Sequence, residues 1–110
     1  MINWIEVGTV NDIPKQGARV VKTDDGDIAV FKTEDGEIFA LRDKCPHKGG
    51  PLSQGIVHGK RIACPLHDWK VNLDTGLVVA PDEGCAASFP IKIEGETIFL
   101  SLTPSEGCPN

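Results

Sequence analysis

The stretch "TDDGDIAVFKTEDGEIFALR", residues 23–42, states one plan twice. Thr23 to Lys32 and Thr33 to Arg42 are ten-residue units, each an acidic turn ending in Gly followed by a short apolar run. A period of ten is too short for a helical solenoid repeat. It suits successive strands of a β-meander, each entered through an Asp-Gly turn, here Asp25-Gly26 and Asp35-Gly36. Alternation predicts that Ile28, Val30 and Lys32 face one way and that Ala29 and Phe31 face the other.

Similar signals recur on both sides. "WIEVG" and "ARVVKT" read as strands before the pair, and "KRIAC" as a short strand after it. "WKVNL" and "GLVVA" flank Asp74-Thr75-Gly76 as a hairpin, and "FPIKIEGETIFLSL" reads as two strands joined at Glu94-Gly95. No stretch sustains a helical period of apolar residues, and 12 Gly with 8 Pro in 110 residues favour turns. The expected fold is all-β: nine or ten short strands stacked as small antiparallel sheets. One domain should span 1–110, with "TPSEGCPN" (103–110) as a loose tail.

An apolar fraction of 40% and a charged fraction of 25% are those of a soluble globular domain. No apolar run is long enough to cross a bilayer, so no membrane partner is expected. The N-terminal "MINWIEVGTVNDIP" lacks the basic and apolar regions of a signal peptide, which points to the cytoplasm. In that compartment Cys usually means metal or redox chemistry. A net charge of −5 argues against nucleic acid. The charge is uneven: Arg42 to Lys70 carries Arg42, Lys44, Lys48, Lys60, Arg61 and Lys70 against Asp43 and Asp68. That segment is +4 and the remainder −9.

Inside the positive segment lie "KCPHKGG" and "ACPLHDW". Cys45-Pro46-His47 is followed, sixteen residues on, by Cys64-Pro65-Leu66-His67, a C-x-H…C-x₂-H pattern. Each loop follows an expected strand, so rigid elements lie beneath the four side chains. Pro46 and Pro65 restrict the backbone beside each Cys, while Gly49 and Gly50 let main chain approach whatever is bound. A single Cys is often only a small apolar residue, and a single loop His, such as His58, only a surface residue. Four together at this spacing point to metal. Two ligand sets fit: tetrahedral zinc, or a cluster with two Cys on one iron and two His on the other. Zinc fingers group Cys with Cys and His with His; here each loop gives one of each, so two loops can grip a two-metal unit from both sides.

With those residues in view, the chain resembles the Rieske iron–sulfur proteins. The resemblance rests on Cys45, His47, Cys64 and His67 within "CPHKGG" and "CPLHDW", and it extends over most of the chain. It implies a Rieske-type [2Fe–2S] cluster, a three-sheet β fold with two cluster-binding loops, and a third loop, "VVAPDEG", in which Pro81 shields the cluster from water. The respiratory branch of the family carries an additional Cys in each loop, joined as a disulfide. Gly50 and Leu66 stand at those positions, so that bridge cannot form here. That branch also has a hydroxyl residue where this chain has Trp69, and there is no Tyr anywhere. Fewer donors aimed at cluster sulfur imply a potential toward the lower end of the Rieske range, roughly −150 to +300 mV.

"APDEGCAASFPIKIEGETIFL", and especially Pro81-Asp82-Glu83-Gly84-Cys85, is similar to the small subunit of bacterial assimilatory NAD(P)H-dependent nitrite reductase, an enzyme of nitrate assimilation. That resemblance implies an accessory electron-transfer subunit with no catalytic residue of its own. The large subunit would hold flavin, a [4Fe–4S] cluster and sirohaem and reduce nitrite to ammonia. The alternatives are a free Rieske ferredoxin serving a ring-hydroxylating oxygenase and, from another class, a non-redox zinc interaction module. The positive segment around the ligands leads to the expectation of a redox partner with an acidic docking face. Cys85 and Cys108 sit at no ligand spacing. They read as a packed residue and a free tail thiol, because a reducing compartment disfavours a bridge between them.

Overall fold

A computed structural model describes residues 4–24, 26–44, 51–64, 70–79 and 84–103. Ten strands follow in chain order: β1 (Trp4–Thr9), β2 (Ala18–Val21), β3 (Ile28–Lys32), β4 (Ile38–Arg42), β5 (Ile56–His58), β6 (Arg61–Ala63), β7 (Lys70–Asn72), β8 (Ser88–Phe89), β9 (Ile91–Glu94) and β10 (Thr97–Ser101). They form three antiparallel sheets, ordered β1-β10-β9, β2-β3-β4-β8 and β5-β6-β7. This is the all-β stack of small sheets that the turn spacing predicts. Among the described residues the helical pieces are two single 3-10 turns, Val10–Asp12 and Leu52–Gln54. Three residues are too few to leave a periodic signal in a sequence.

The repeated unit is the centre of the molecule. β3 pairs with β4 from Ile28↔Arg42 to Lys32↔Ile38, and with β2 on its other side. Its alternation sorts two cores. Ala29 and Phe31 face Val57, Ile62, Val71 and Leu73 of the β5-β6-β7 layer and its following turn. Ile28 and Val30 face Val7, Ile98 and Leu100 of the β1-β10-β9 layer. All four apolar residues of β3 are buried, so the strand is covered on both faces. Burying Ile28, Val30 or Phe31 stabilises the fold by roughly 1.5–3 kcal/mol each before conformational entropy is charged against it.

Two local expectations shift. The β9–β10 turn falls on Gly95-Glu96, one residue later than expected, because Glu94 stays paired with Thr97. Gly95 then takes φ of 62°, the left-handed conformation that a two-residue hairpin needs. "GLVVA" forms no full strand; it contributes isolated bridges, Val71↔Val78 and Leu77↔Cys85. The Asp25 position of the first turn and residues 104–110 of the tail lie outside the described residues.

Candidate metal centre

Of the four ligand candidates, Cys64 is among the described residues. Cys45, His47, His67 and Pro81 lie outside them, as do Pro46, Gly49, Gly50 and Pro65. The structure therefore speaks to the stems of the loops. Cys64 follows β6 directly. Ile62 points into the core and Ala63 away from it, so the period of two turns Cys64 inward again. Its side chain is 2% exposed, packed with the cluster that holds Phe31, Leu41, Leu52 and Val57. A thiolate at such a depth needs a positive partner, which a metal ion supplies. The pairs Ile62↔Val71 and Ala63↔Lys70 make β6 and β7 a hairpin whose connection, 64–69, carries the second loop.

The first loop is closed by a side chain. Asp43 Oδ1 accepts the backbone N–H of Ser53 at 2.6 Å, and Oδ2 accepts the Ser53 hydroxyl at 2.8 Å. This double contact cinches the base of the segment that contains Cys45 and His47. Asp43 also donates its backbone N–H to Asp27 O at 2.9 Å, which ties the base to the turn before β3. Beside it, Arg42 Nη1 donates to Gly26 O at 2.9 Å and the guanidinium lies 4.8 Å from the centre of the Phe89 ring. At the far end of the loop Leu52 is fully buried in the core. Gly55 then passes so close to β6 that an added Cβ would sit 2.0 Å from Ala63 O.

Nothing in the sequence marks Asp43, Ser53 or Gly55 as a site residue; there Asp43 is one charge among others. An Asp–Ser contact across ten residues has no local signature, and a Gly needed for close approach looks like any turn Gly.

A third segment borders these stems. Val79 donates its N–H to Lys70 O, and Asn72 donates to Leu77 O, both at 2.8 Å. On the other side Val78 donates to Gly84 O at 3.0 Å and Ala86 to Gly76 O at 2.8 Å. Residues 76–79 and 84–86 are thus two arms, and the connection between them contains Pro81. Gly76 is required here: its φ is 79°, and a Cβ would lie 2.0 Å from Ala86 O.

The charge pattern is corrected by the structure. Lys60 lies in the β5–β6 turn and Arg61 opens β6, at the opposite end of that strand from Cys64, about 10 Å along it. Lys60 Nζ lies 3.5 Å from Glu37 Oε1, and Arg61 Nε donates to Asn72 Oδ1 at 3.3 Å. Lys48 is outside the described residues. Arg42, Lys44 and Lys70 adjoin the loop stems, but exposed Asp24 and Asp27 come to the same end. The segment's +4 is a property of the chain and does not map onto one face. Cys85, read as a packed residue, is instead in a disulfide. Among the described residues no helix is long and apolar enough to cross a membrane.

Known proteins resemble this chain in sequence and in fold. The family model for the Rieske [2Fe–2S] domain matches residues 3–90. The ferredoxin component of the naphthalene 1,2-dioxygenase/salicylate 5-hydroxylase systems of Ralstonia sp. is 33% identical over 101 residues, covering 91% of this chain and 96% of that one. A chain from the complex of reduced oxygenase and oxidized ferredoxin in carbazole 1,9a-dioxygenase superposes with a TM-score of 0.85 at 23% identity, covering 94% of this chain and 97% of that one. A Mycobacterium tuberculosis protein assigned as an NADH-dependent nitrite reductase small subunit superposes with a TM-score of 0.84 at 19% identity, over 94% and 97% of the two chains.

Proposed function

Because this chain belongs to the Rieske [2Fe–2S] domain family, and is thereby an electron-transfer protein with a Rieske [2Fe–2S] cluster, we propose that it is the small subunit of an assimilatory NAD(P)H-dependent nitrite reductase. Membership of this family favours a [2Fe–2S] cluster over a single zinc ion. Bound here, the cluster supplies one-electron transfer without bonding to substrate. In this reading Cys45 and Cys64 anchor the inner iron, and His47 and His67 hold the outer one and present the edge at which a partner docks. The 2% exposure of Cys64 supports the inner role. The donor set fits: two thiolates to balance charge in the dry interior, and two imidazoles whose far nitrogens can exchange protons with water. Pro81, in the connection between the two arms of the third segment, would cover the site in this reading.

What supports the subunit reading is the wording around the ligands, "CPHKGG", "CPLHDWK" and "PDEGC", which resembles that branch of the family, together with the fold shared with a nitrite reductase small subunit. The large subunit, with flavin, a [4Fe–4S] cluster and sirohaem, would be the resident partner. Affinity purification of this chain from its own cells, without air, tests it. Retention of a large flavin- and sirohaem-containing chain supports the subunit; recovery of a brown monomer sinks it.

A second reading has its own support. Identity of 33% over nearly the whole length to a dioxygenase ferredoxin component favours a free ferredoxin that meets its oxygenase transiently. The brown monomer would establish that reading once it reduces an oxygenase. Either way, Cys64→Ser and a His67→Ser variant should lose the visible absorption of the cluster and the low average g value of the reduced protein. A full spectrum in either variant would refute the ligand assignment.

A further inference from the structure

We propose that Ile56 is an apolar anchor on which the redox partner seats an apolar pocket of its own, beside the end of β6 that leads into Cys64. The inference rests on the electron-transfer role and the ligand reading above. Ile56 is 72% exposed, the highest value for a large apolar residue among the described ones. Single apolar residues are ordinary on a protein surface, so exposure alone says little. Position sets Ile56 apart. β5 and β6 pair as Ile56↔Ala63, and Cys64 is the next residue. The Cα atoms of Ile56 and Cys64 therefore lie within about 9 Å of each other. The other exposed large apolar residues stand elsewhere: Val20 on β2, Ile93 on β9 and Leu102 beyond β10. Leu77 lies opposite Asn72, in the row of Arg61 at the far end of β6.

The side chain faces outward and is held there. Val57 and Ile62 point into the core, so the period of two turns Ile56 and Ala63 away from it. Gly55 is pressed against Ala63 O, and Val57 is buried, so the backbone on both sides of Ile56 is fixed. Gln16 Nε2 donates to Val57 O at 3.2 Å, which ties the outer edge of β5 to the segment before β2. A β-branched side chain on such a strand has little rotamer freedom to lose when a partner closes over it.

Chemistry selects the occupant. Residues 51–64, "PLSQGIVHGKRIAC", contain no Asp or Glu in a chain of net charge −5. An apolar surface closing on Ile56 thus has no carboxylate of this segment to strip of water. A second copy of the chain would bring the same net negative charge against the first, whereas a different protein need not. Electron-transfer contacts are small, below about 1,200 Å² in total, and a few residues carry most of the binding energy of an interface. One rigid apolar side chain beside the ligand strand suits a contact of that kind.

The test uses holoprotein and the partner that the air-free purification identifies: the large flavin- and sirohaem-containing chain, or the oxygenase that the brown monomer reduces. The rate of electron transfer from the reduced protein is followed as partner concentration is varied, at low and at high salt. Ile56→Ala should raise the half-saturating partner concentration several-fold, equally at both salt concentrations, with the iron and sulfide content, visible spectrum and midpoint potential of wild type. Ile56→Leu should recover most of the loss, and Leu77→Ala should match wild type. An unchanged half-saturating concentration in Ile56→Ala overturns the proposal, as does an equal rise in Leu77→Ala. Iron loss in step with the rise overturns it too, because the role would then be structural. A wild-type dimer that Ile56→Ala dissolves would assign the residue to a second copy instead. Wild type that passes electrons to neither partner refutes the functional reading; wild type that does so while Ile56→Ala keeps pace refutes this inference alone.

Discussion

The two cores of this protein are built differently. Between the central sheet and β1-β10-β9, all strands but the two-residue β8 have four to six residues and pair in long ladders, and Val7, Ile98 and Leu100 close against Ile28 and Val30. Beneath β5-β6-β7 the strands have three residues each. That layer is secured by particular close approaches: Gly55 on Ala63, Gly76 on Ala86, and Asp43 on Ser53. The first core is stabilised mainly by buried area, which tolerates volume-conserving exchange. The second positions backbone, and a single added methyl group can unseat it. The scaffold needs only to stay folded, whereas the other layer must hold two loops in fixed relation to each other.

The largest expected effect separates the two. Leu52→Ala and Leu100→Ala each empty a fully buried site and should cost about 2–5 kcal/mol, lowering Tm by on the order of 10 °C or more. Only Leu52→Ala should also lower iron content, because Leu52 anchors the end of the first loop. Thermal unfolding with iron analysis checks this; equal iron loss in both variants would erase the distinction between the layers.

Glycine exchange sharpens the same contrast. Gly55→Ala forces β6 to move, since the new Cβ would meet Ala63 O at 2.0 Å, and should cost about 2–4 kcal/mol with loss of cluster. Gly36→Ala is the control. Its φ is 88° but nothing lies within 4 Å of an added Cβ, so only backbone strain of about 1 kcal/mol should appear, with the visible spectrum intact.

The loop brace should matter less to stability than to the site. Asp43→Asn keeps the shape but weakens two hydrogen bonds made to a carboxylate, an expected loss of about 1–2 kcal/mol for this part-buried pair. Ser53→Ala removes the hydroxyl contact alone and should cost about 1 kcal/mol. Because the pair acts as one brace, the double variant should lose less than the two single losses combined. Denaturant unfolding of the three variants measures that coupling, and strict additivity would count against a shared role.

The fold was largely legible because its central pair of strands is a repeat whose alternation survives burial on both faces. Ile28 and Val30 separate from Ala29 and Phe31 as the period of two requires. The ligand spacing was legible because four chemically distinctive residues recur in two short loops. Other features depend on contacts between residues distant in sequence. The Asp43–Ser53 brace, the approach of Gly55 to Ala63 and the disulfide at Cys85 follow from how sheets stack. Charge misled for the same reason: neighbours in sequence around Lys60 are not neighbours of Cys64 in space.

That misreading yields the smallest and most discriminating expectation. Lys44 is exposed beside the first loop, while Lys60 lies at the far end of β6 in an ion pair with Glu37 whose members are about half exposed. Such a pair is worth about 1 kcal/mol or less, so Lys60→Glu should scarcely alter stability. Both charge reversals change the net charge equally. If an acidic partner docks at the ligand end, Lys44→Glu should slow electron transfer to it several-fold at low salt, and the deficit should shrink as ionic strength rises. Lys60→Glu should follow wild type at every salt concentration. Stopped-flow reduction of the partner separates the cases: equal slowing by both variants would mean that total charge alone governs encounter, and slowing by neither would remove electrostatic steering from the docking of this chain.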